Sequence, residues 1–420
     1  FNTFNFSELS YEESKKIKKT STYEFQSIKE LKKLYIDSFD IGYAISSTLI
    51  THTKNPNPNL YDYKDIVNDL IWSAGKVYFS VKRILEEQSP NKVFFHNGRH
   101  ALGRAVLRAC DSLKINYISY ESGFRRDEFM LYENGMPQNP ELREKQIRKH
   151  WEKNKNLKEK RAVAKSYYID QRNGRNAPTE KFNFVKGQKE TSFPENWSSK
   201  KKNIVIYNST ENEFAAIDDS WNLPFYKNQN DAIIQIINSL ENIDKEIQIY
   251  LRIHPNYSLS NDPSIQEIYK IKSKIFKIID SNSDVSSYSL IEEADVVLTF
   301  VSTVGVESVF WGTPTILLGN AFYKNLGGFY IPRTHDECIE LLLKDLKPMA
   351  KTGPLMWGYY NARYGIKYKY YKPINHDIGY FKNKLILPSS ILIIFNKSRW
   401  RKRLRFFDLF ARYFRKKLIV

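Results

Sequence analysis

Several residues that can do chemistry stand at the ends of apolar runs. His254-Pro255 follows Arg252 at the end of the run from Glu246 to Ile253. Ser302-Thr303 closes the run from Asp295 to Phe300 and opens a helical pattern, Val304 to Trp311, that contains Glu307. Asn97-Gly98-Arg99 and Tyr120-Glu121-Ser122-Gly123 close two shorter runs earlier in the chain. An imidazole at position 254 can bond a phosphate and stabilise charge on a departing nucleotide, with Pro255 fixing φ and helping to aim the ring. A hydroxyl pair at a helix N-terminus can hold the same anion, because exposed N–H groups and the helix dipole both favour negative charge. Glu307, beside Val306, Val309 and Phe310, can accept bonds from ribose hydroxyls. Asn97 and Arg99 can hold an acidic group. Glu121 is the first-half carboxylate best placed to take a proton from a hydroxyl, ahead of Glu211 and Glu213.

Each residue also has a plainer reading. Ser302 and Thr303 suit a helix N-cap, Asn97 and Gly98 suit a turn, and a single glutamate or arginine is usually solvated. The plainer readings weigh most on Arg99 and Glu121. They weigh least on His254, where Arg252 and a second polar turn accompany the ring.

The elements that must position these residues alternate between strand and helix. Strands are expected at Lys92–His96, Asn116–Ser119, Asn203–Tyr207, Glu246–Ile253, Phe276–Ile279, Asp295–Phe300 and Thr315–Leu318. Helices are expected at Tyr61–Glu87, Ala101–Leu113, Asn230–Leu240, Pro263–Lys274, Ser286–Glu293 and Asp336–Leu346. Continuous apolar strands joined through helices predict parallel sheets covered on both faces, with right-handed crossovers bringing the polar exits to one rim. The charged stretch 139–165 reads as a solvated helix, and 170–200 as loop.

The length of 420 residues predicts two domains. The expected division is a Rossmann-like unit at 1–195, a second at 200–346, a segment rich in Tyr and Trp crossing back at 347–380, and a tail at 381–420. Two cysteines, Cys110 and Cys338, imply no disulfide framework and fit a reducing compartment. The first residue is Phe1, and no apolar run of spanning length is present. No Walker A loop, GxGxxG or Cys-x-x-Cys occurs, so no metal or bound cofactor is expected.

Net charge is +18, and Lys397 to Lys417 contributes ten Lys or Arg against one acid, Asp408, a net of +9. Trp400, Leu404, Phe407, Phe410, Ala411 and Phe414 share one helical face of that tail. A basic amphipathic helix of this kind predicts docking of residues 397–420 on an anionic membrane surface rather than on nucleic acid, for which no motif is present.

The motifs FHNGRHALGRAVLRA and YESG, then NSTENEFAAI, LRIHPN, DVVLTFVSTVGVESVFWGTPTILLG and MWGYY, occur in this order. Over Asn91 to Tyr371 the chain resembles the bacterial capsule polysaccharide biosynthesis proteins, which look like GT-B glycosyltransferases. The resemblance implies an α/β, GT-B-like fold of two Rossmann-like domains facing a cleft. It implies His254, Pro255, Ser302 and Thr303 on the phosphate of a nucleotide-sugar donor, CMP-linked donors among the candidates, without a metal. The acceptor would be a growing polysaccharide or a lipid-linked sugar at the inner face of the cytoplasmic membrane. Asn97, Arg99 and Glu121 match the family pattern less securely in role. A teichoic-acid-type polyol-phosphate transferase, a nucleotide-sugar epimerase and a non-catalytic capsule-assembly protein are the alternatives.

Overall fold

The structure is a computed structural model and describes residues 8–21, 25–176, 183–243, 246–259, 262–374 and 378–386. The basic tail at 397–420 lies outside the described residues. Among the described residues no helix is long and apolar enough to cross a membrane. The chain forms two compact units, residues 1–137 with 365–420, and residues 138–364.

The first unit opens with α1 (Tyr11–Ser21), α2 (Ile28–Leu31), α3 (Ile41–Thr53) and α4 (Lys64–Gln88), followed by β1 (Val93–His96), α5 (Ala101–Leu113), β2 (Tyr117–Ser122) and β3 (Glu128–Glu133). α2 is a single turn capped by Ser27, whose Oγ accepts the Glu30 N–H at 3.2 Å. α3 is buried nearly all round, as expected where no face is polar enough for water. From it, Thr48 Oγ1 accepts the Ala101 N–H at 2.9 Å and so caps α5. β1 and β2 pair in parallel, and β3 returns antiparallel to β2. This sheet is therefore mixed, where parallel pairing was expected throughout. The β2–β3 return is a short connection that needs no crossover helix.

The second unit contains α6 (Pro140–Lys153), α7 (Leu157–Arg172), β4 (Lys202–Tyr207), α8 (Gln229–Glu241), β5 (Ile247–Arg252), α9 (Ile265–Tyr269), β6 (Phe276–Ile279), α10 (Ser287–Glu293), β7 (Val296–Thr299), α11 (Val304–Trp311), β8 (Thr315–Leu317), α12 (His335–Leu343) and α13 (Thr352–Arg363). Its five strands run in the order β6-β5-β4-β7-β8, all parallel. Along β4 the two-residue alternation is direct. Ile204 and Ile206 enter the cluster built on α8 and α12, while Val205 and Tyr207 enter the cluster built on α10. Both faces are thus covered, and the expectation of an α/β fold holds here in full.

The chain lays down β4 at the centre, moves outward to β5 and β6, then returns to place β7 and β8 on the other side. The order reverses between β4 and β7, where open α/β sheets form a crevice at the carboxyl ends.

The division between units falls at 137/138 and 364/365, whereas the sequence reading placed boundaries near 195–200 and at 347. An apolar seam through α6 and α7 and the pairing of the segment after α13 with β3 account for the difference. Ile147, Trp151, Ala164 and Tyr168 are buried in the highly charged α6 and α7. Tyr168 stacks on Phe310 of α11 at 3.9 Å between ring centroids and donates to the Pro354 carbonyl at 2.7 Å. α6 and α7 are therefore packed helices of the second unit, not a solvated stretch. The crossing segment begins after α13, with β9 (Ile366–Lys367) pairing antiparallel to β3. It continues as β10 (Tyr371–Pro373), β11 (Gly379–Phe381) and β12 (Lys384–Ile386). Lys382 and Asn383 both have positive φ, at 46° and 66°, as the tight hairpin joining β11 to β12 requires.

Gly305 lets α11 lie close to β7. A Cβ there would sit 2.6 Å from Thr299 Cγ2 and 2.6 Å from the Tyr323 hydroxyl. Thr299 is fully buried and cannot yield cheaply. Gly305→Ala is predicted to cost roughly 1–3 kcal/mol, the usual range for overpacking, measured as a lower urea midpoint with an unchanged slope.

Candidate functional site

The loops leaving β4, β5 and β7 start at one level, because Tyr207 pairs with Arg252 on one side and Thr299 on the other. The loop after β4 is fixed from behind. Gln229 accepts the Ser209 N–H at 2.8 Å and donates to the Ser209 carbonyl at 2.9 Å. Asn208, itself buried, accepts the His254 N–H at 2.8 Å and ties this loop to the next. Ser209 Oγ and Thr210 Oγ1 are buried with no hydrogen-bond partner. Ser46 and Ser80 are orphaned likewise; the pair at 209–210 is distinguished by standing at the switch point, which makes it a candidate place for polar ligand atoms. Both residues of the pair fall within the motif NSTENEFAAI, but nothing in the sequence singles out either of them.

His254 carries a defined ring orientation. The Asn256 N–H donates to its Nδ1 at 3.1 Å, which makes Nδ1 the acceptor and puts the proton of the neutral ring on Nε2. Burial holds the imidazole below its usual pKa, opposed by the charge of Glu213. Asn256 donates in turn to Glu213 at 2.8 Å, and the Phe184 ring meets the imidazole edge-on at 5.3 Å. Pro255 opens the 3-10 turn Pro255–Leu259 that places the Asn256 N–H behind the ring. The result is a neutral N–H donor on a braced ring, able to bond an anion without itself requiring a proton from solvent.

Arg252 has another task than the one its position beside His254 suggested. Its two terminal nitrogens donate to the carbonyls of Asp280 at 2.7 Å and Ser283 at 3.0 Å, and the residue is buried. Both terminal nitrogens are engaged on backbone, so Arg252 pins the loop after β6, while its Nε is buried with no partner.

At the β7 exit, Ser302 is the residue that caps α11. Its Oγ accepts the Val304 N–H at 3.3 Å and its carbonyl accepts the Gly305 N–H at 3.0 Å. The Tyr323 hydroxyl also donates to that carbonyl. Thr303 has helical φ and ψ and makes no capping bond. Its side chain is exposed and interacts instead with Glu307. Glu307 is buried and accepts the Tyr288 hydroxyl at 2.5 Å. Burial pushes its carboxyl up to about 7, and the bonds from Tyr288 and Thr303 pull only part of the way back. Glu307 is thus far from the solvated glutamate that a surface helix would carry.

In the first unit, the turn after β1 brings Asn97, Arg99 and Glu121 together. Asn97 is buried at φ 62°, a left-handed conformation that asparagine tolerates better than most residues. Its Nδ2 donates to Glu121 Oε2 at 2.5 Å, and its Oδ1 accepts the Arg99 N–H at 3.0 Å. Arg99 Nε donates to Ser47 Oγ on α3 at 2.6 Å. Glu121 Oε1 accepts the Ser122 N–H at 2.8 Å and lies 3.5 Å from His96 Nε2. Burial pushes the Glu121 carboxyl up, but His96, the Ser122 N–H and Asn97 outweigh it and leave it lowered. The same contact raises His96. Burial, with the charges of Arg99 and His52, drives His100 down to about 3 and keeps it neutral. His96 was read only as the end of a strand. Its register opposite Tyr120, one residue before Glu121, is the signal that pairs it with the carboxylate.

Among the described residues, no group of three or more His, Cys, Asp or Glu could hold a metal ion.

The raised Glu307 carboxyl has a consequence for stability. Native Glu307 holds its proton to about pH 7, whereas the ordinary value is 4.5, so the wild type loses stability as pH rises through that window. Glu307→Gln removes the loss. Its stability relative to wild type is predicted to grow by on the order of 2–3 kcal/mol between pH 4.5 and pH 8, followed by urea unfolding at each pH.

Residues 188–329 match the model of the family described as capsule polysaccharide biosynthesis protein. The match spans the switch point, with His254, Ser302, Thr303 and Glu307 inside it. No curated protein matches the chain. Among solved structures, the beta Kdo 2,4 transferase of Thermosulfurimonas dismutans KpsC aligns at 15% identity over 63% of this chain and 78% of its own, with a TM-score of 0.41. The beta Kdo 2,7 transferase of the same protein aligns at 15% identity over 76% and 89%, with a TM-score of 0.41. The UDP-GlcNAc 2-epimerase of Methanocaldococcus jannaschii aligns at 16% identity over 67% and 78%, with a TM-score of 0.26. The chain resembles the capsule polysaccharide biosynthesis proteins, and the matched segment contains its best-formed candidate site.

Proposed function

We propose that the chain is a capsule-type glycosyltransferase on a GT-B-like arrangement, with a nucleotide-sugar donor held by the second unit. The observation that supports this most strongly is the set of donors at the switch point. The His254 Nε2–H, the unpartnered hydroxyls of Ser209 and Thr210, and the N-terminus of α11 stand on three neighbouring strand exits. All are neutral or dipolar, and together they suit a nucleotide diphosphate or monophosphate. When the sugar leaves, negative charge grows on the phosphate oxygen. A preorganised N–H and a helix N-terminus stabilise that charge without reorienting. Thr303, exposed at the same turn, adds a hydroxyl. Glu307 lies behind it and is assigned to the ribose.

The first unit is assigned the acceptor. The His96–Glu121 pair would take the hydroxyl proton, with His96 the more exposed member at 58% of its side-chain surface against 26% for Glu121. Asn97 and Ser122 hold the carboxylate, and Arg99 stands beside it for an acidic acceptor group. A lipid-linked or polymeric acceptor would bring the enzyme to the inner membrane face, where residues 397–420 supply a basic anchor. The nucleotide is left to experiment, with CMP one of the candidates.

Thermal-shift measurements with CMP, UDP, GDP and CDP compounds test the donor assignment. One class is predicted to raise the wild-type transition, and His254→Ala is predicted to abolish the shift and lower turnover by about 10²-fold or more. No shift with any nucleotide would refute it. A second test addresses the acceptor side. Glu121→Gln removes the carboxylate that raises His96, so the acidic limb of the kcat/KM profile is predicted to move to lower pH while the rate falls by about 10²–10⁴-fold. An unmoved limb and near-normal turnover would remove Glu121 and His96 from the reaction.

A further inference from the structure

The small sheet formed by β10, β11 and β12 has no core of its own. Each strand is three residues long. Its pairing sets Lys372, Tyr380 and Leu385 in a row on one face, and Tyr371, Phe381 and Lys384 on the other, with Ile386 beside them. Tyr371 lies across Gly379, where a Cβ would meet its ring at 2.5 Å. Phe381 and Ile386 are each 45% exposed, and Tyr380 and Leu385 are 41% and 45% exposed on the opposite face. With Tyr370 and Ile374 these make six of the twenty exposed large hydrophobic side chains among the described residues, within a stretch of 17. A sheet this small, with two large apolar side chains exposed beside one lysine on each face, needs a covering surface.

Charge identifies the cover. Between 366 and 386 the sequence has five lysines against one acid, Asp377, a net of +4. Lys382 sits over the rings of Tyr370 at 5.4 Å and Phe381 at 5.9 Å, and Lys369 sits over Tyr370 at 5.2 Å. Aromatic rings with ammonium groups around them fit the boundary between lipid acyl chains and anionic headgroups, where the rings bury and the lysines reach outward. The basic segment at 397–417 follows in the sequence, eleven residues after β12.

We propose that the β10–β12 sheet is a folded docking element for an anionic lipid surface, inserting the face that bears Phe381 and Ile386. The inference does not depend on the reaction catalysed.

A fluorophore sensitive to its surroundings, attached to Phe381→Cys in the full chain, tests it. Cys110 and Cys338 are buried, so the label goes to position 381. Tyr61→Cys, on a residue 83% exposed in the first unit, is the control. Vesicles of phosphatidylglycerol and phosphatidylcholine should blue-shift and brighten the label at 381 several-fold. Phosphatidylcholine alone should not, and the label at 61 should stay unchanged. Ile386→Cys, on the same face, should repeat the result if the substitution at 381 disturbs folding. Three results would overturn the proposal. The chain could sediment with vesicles while the label at 381 is unmoved, so that another segment alone docks. The label could already be blue-shifted without lipid, so that the chain itself or a second copy covers the face. The chain could also fail to bind the vesicles at all.

Discussion

A five-stranded parallel sheet buried on both faces cannot choose freely where its polar groups go. Every backbone group inside must pair along the ladder, and every side chain inside must be apolar or satisfied. The polar residues of β4, β5 and β7 are therefore pushed to the strand ends, and the parallel connection sends the chain out at the same edge each time. Starting at the centre and returning to the other side opens a crevice there. The second unit meets this constraint strand by strand, from the alternation of Ile204, Val205, Ile206 and Tyr207 to the level exits after Tyr207, Arg252 and Thr299. The donor set at the crevice follows from it.

Within that crevice the important feature is restraint of polarity. His254 is held neutral by burial and oriented by a backbone N–H, and Asn208 and Gln229 satisfy the loop around it. What is left unsatisfied at the strand exits includes the hydroxyls of Ser209 and Thr210 and the Nε of Arg252. Glu307 shows the other side of the same economy. A carboxyl inside α11 is tolerated because Tyr288 and Thr303 donate to it and because burial keeps its proton on to near neutrality. In the first unit the arrangement is reversed. Three donors converge on Glu121 and keep it ionised, and the histidine beside it gains proton affinity.

The second unit was legible in the sequence because its strands are unbroken apolar runs with short connections. β4 through β8 and the helices between them fall within a few residues of expectation, although only Ile265–Tyr269 of the span Pro263–Lys274 is α-helical. The first unit was less so. β3 is alternating and short, and α6 and α7 hide a seam of four apolar residues under a dense charge pattern. Among the candidate site residues, His254, Ser302 and Thr303 stand out in the sequence by their place at strand exits, and they remain candidates. The loop-pinning role of Arg252 was not legible, because sequence shows a neighbour and not the carbonyls its fork reaches. Ser209 and Thr210 were passed over because an unsatisfied hydroxyl is visible only once burial is known. His96 was missed because its meaning depends on register with a strand more than twenty residues away.

The central claim is that His254 presents a neutral Nε2–H to a nucleotide phosphate. Nitrogen-15 NMR of the histidine rings, recorded with and without the nucleotide that stabilises the protein, tests it most directly. The account predicts that His254 is the Nε2–H tautomer in the free protein and that its Nε2 resonance moves on nucleotide binding while Nδ1 stays an acceptor. An Nδ1–H tautomer, or an Nε2 resonance unmoved by a nucleotide that demonstrably binds, would contradict it.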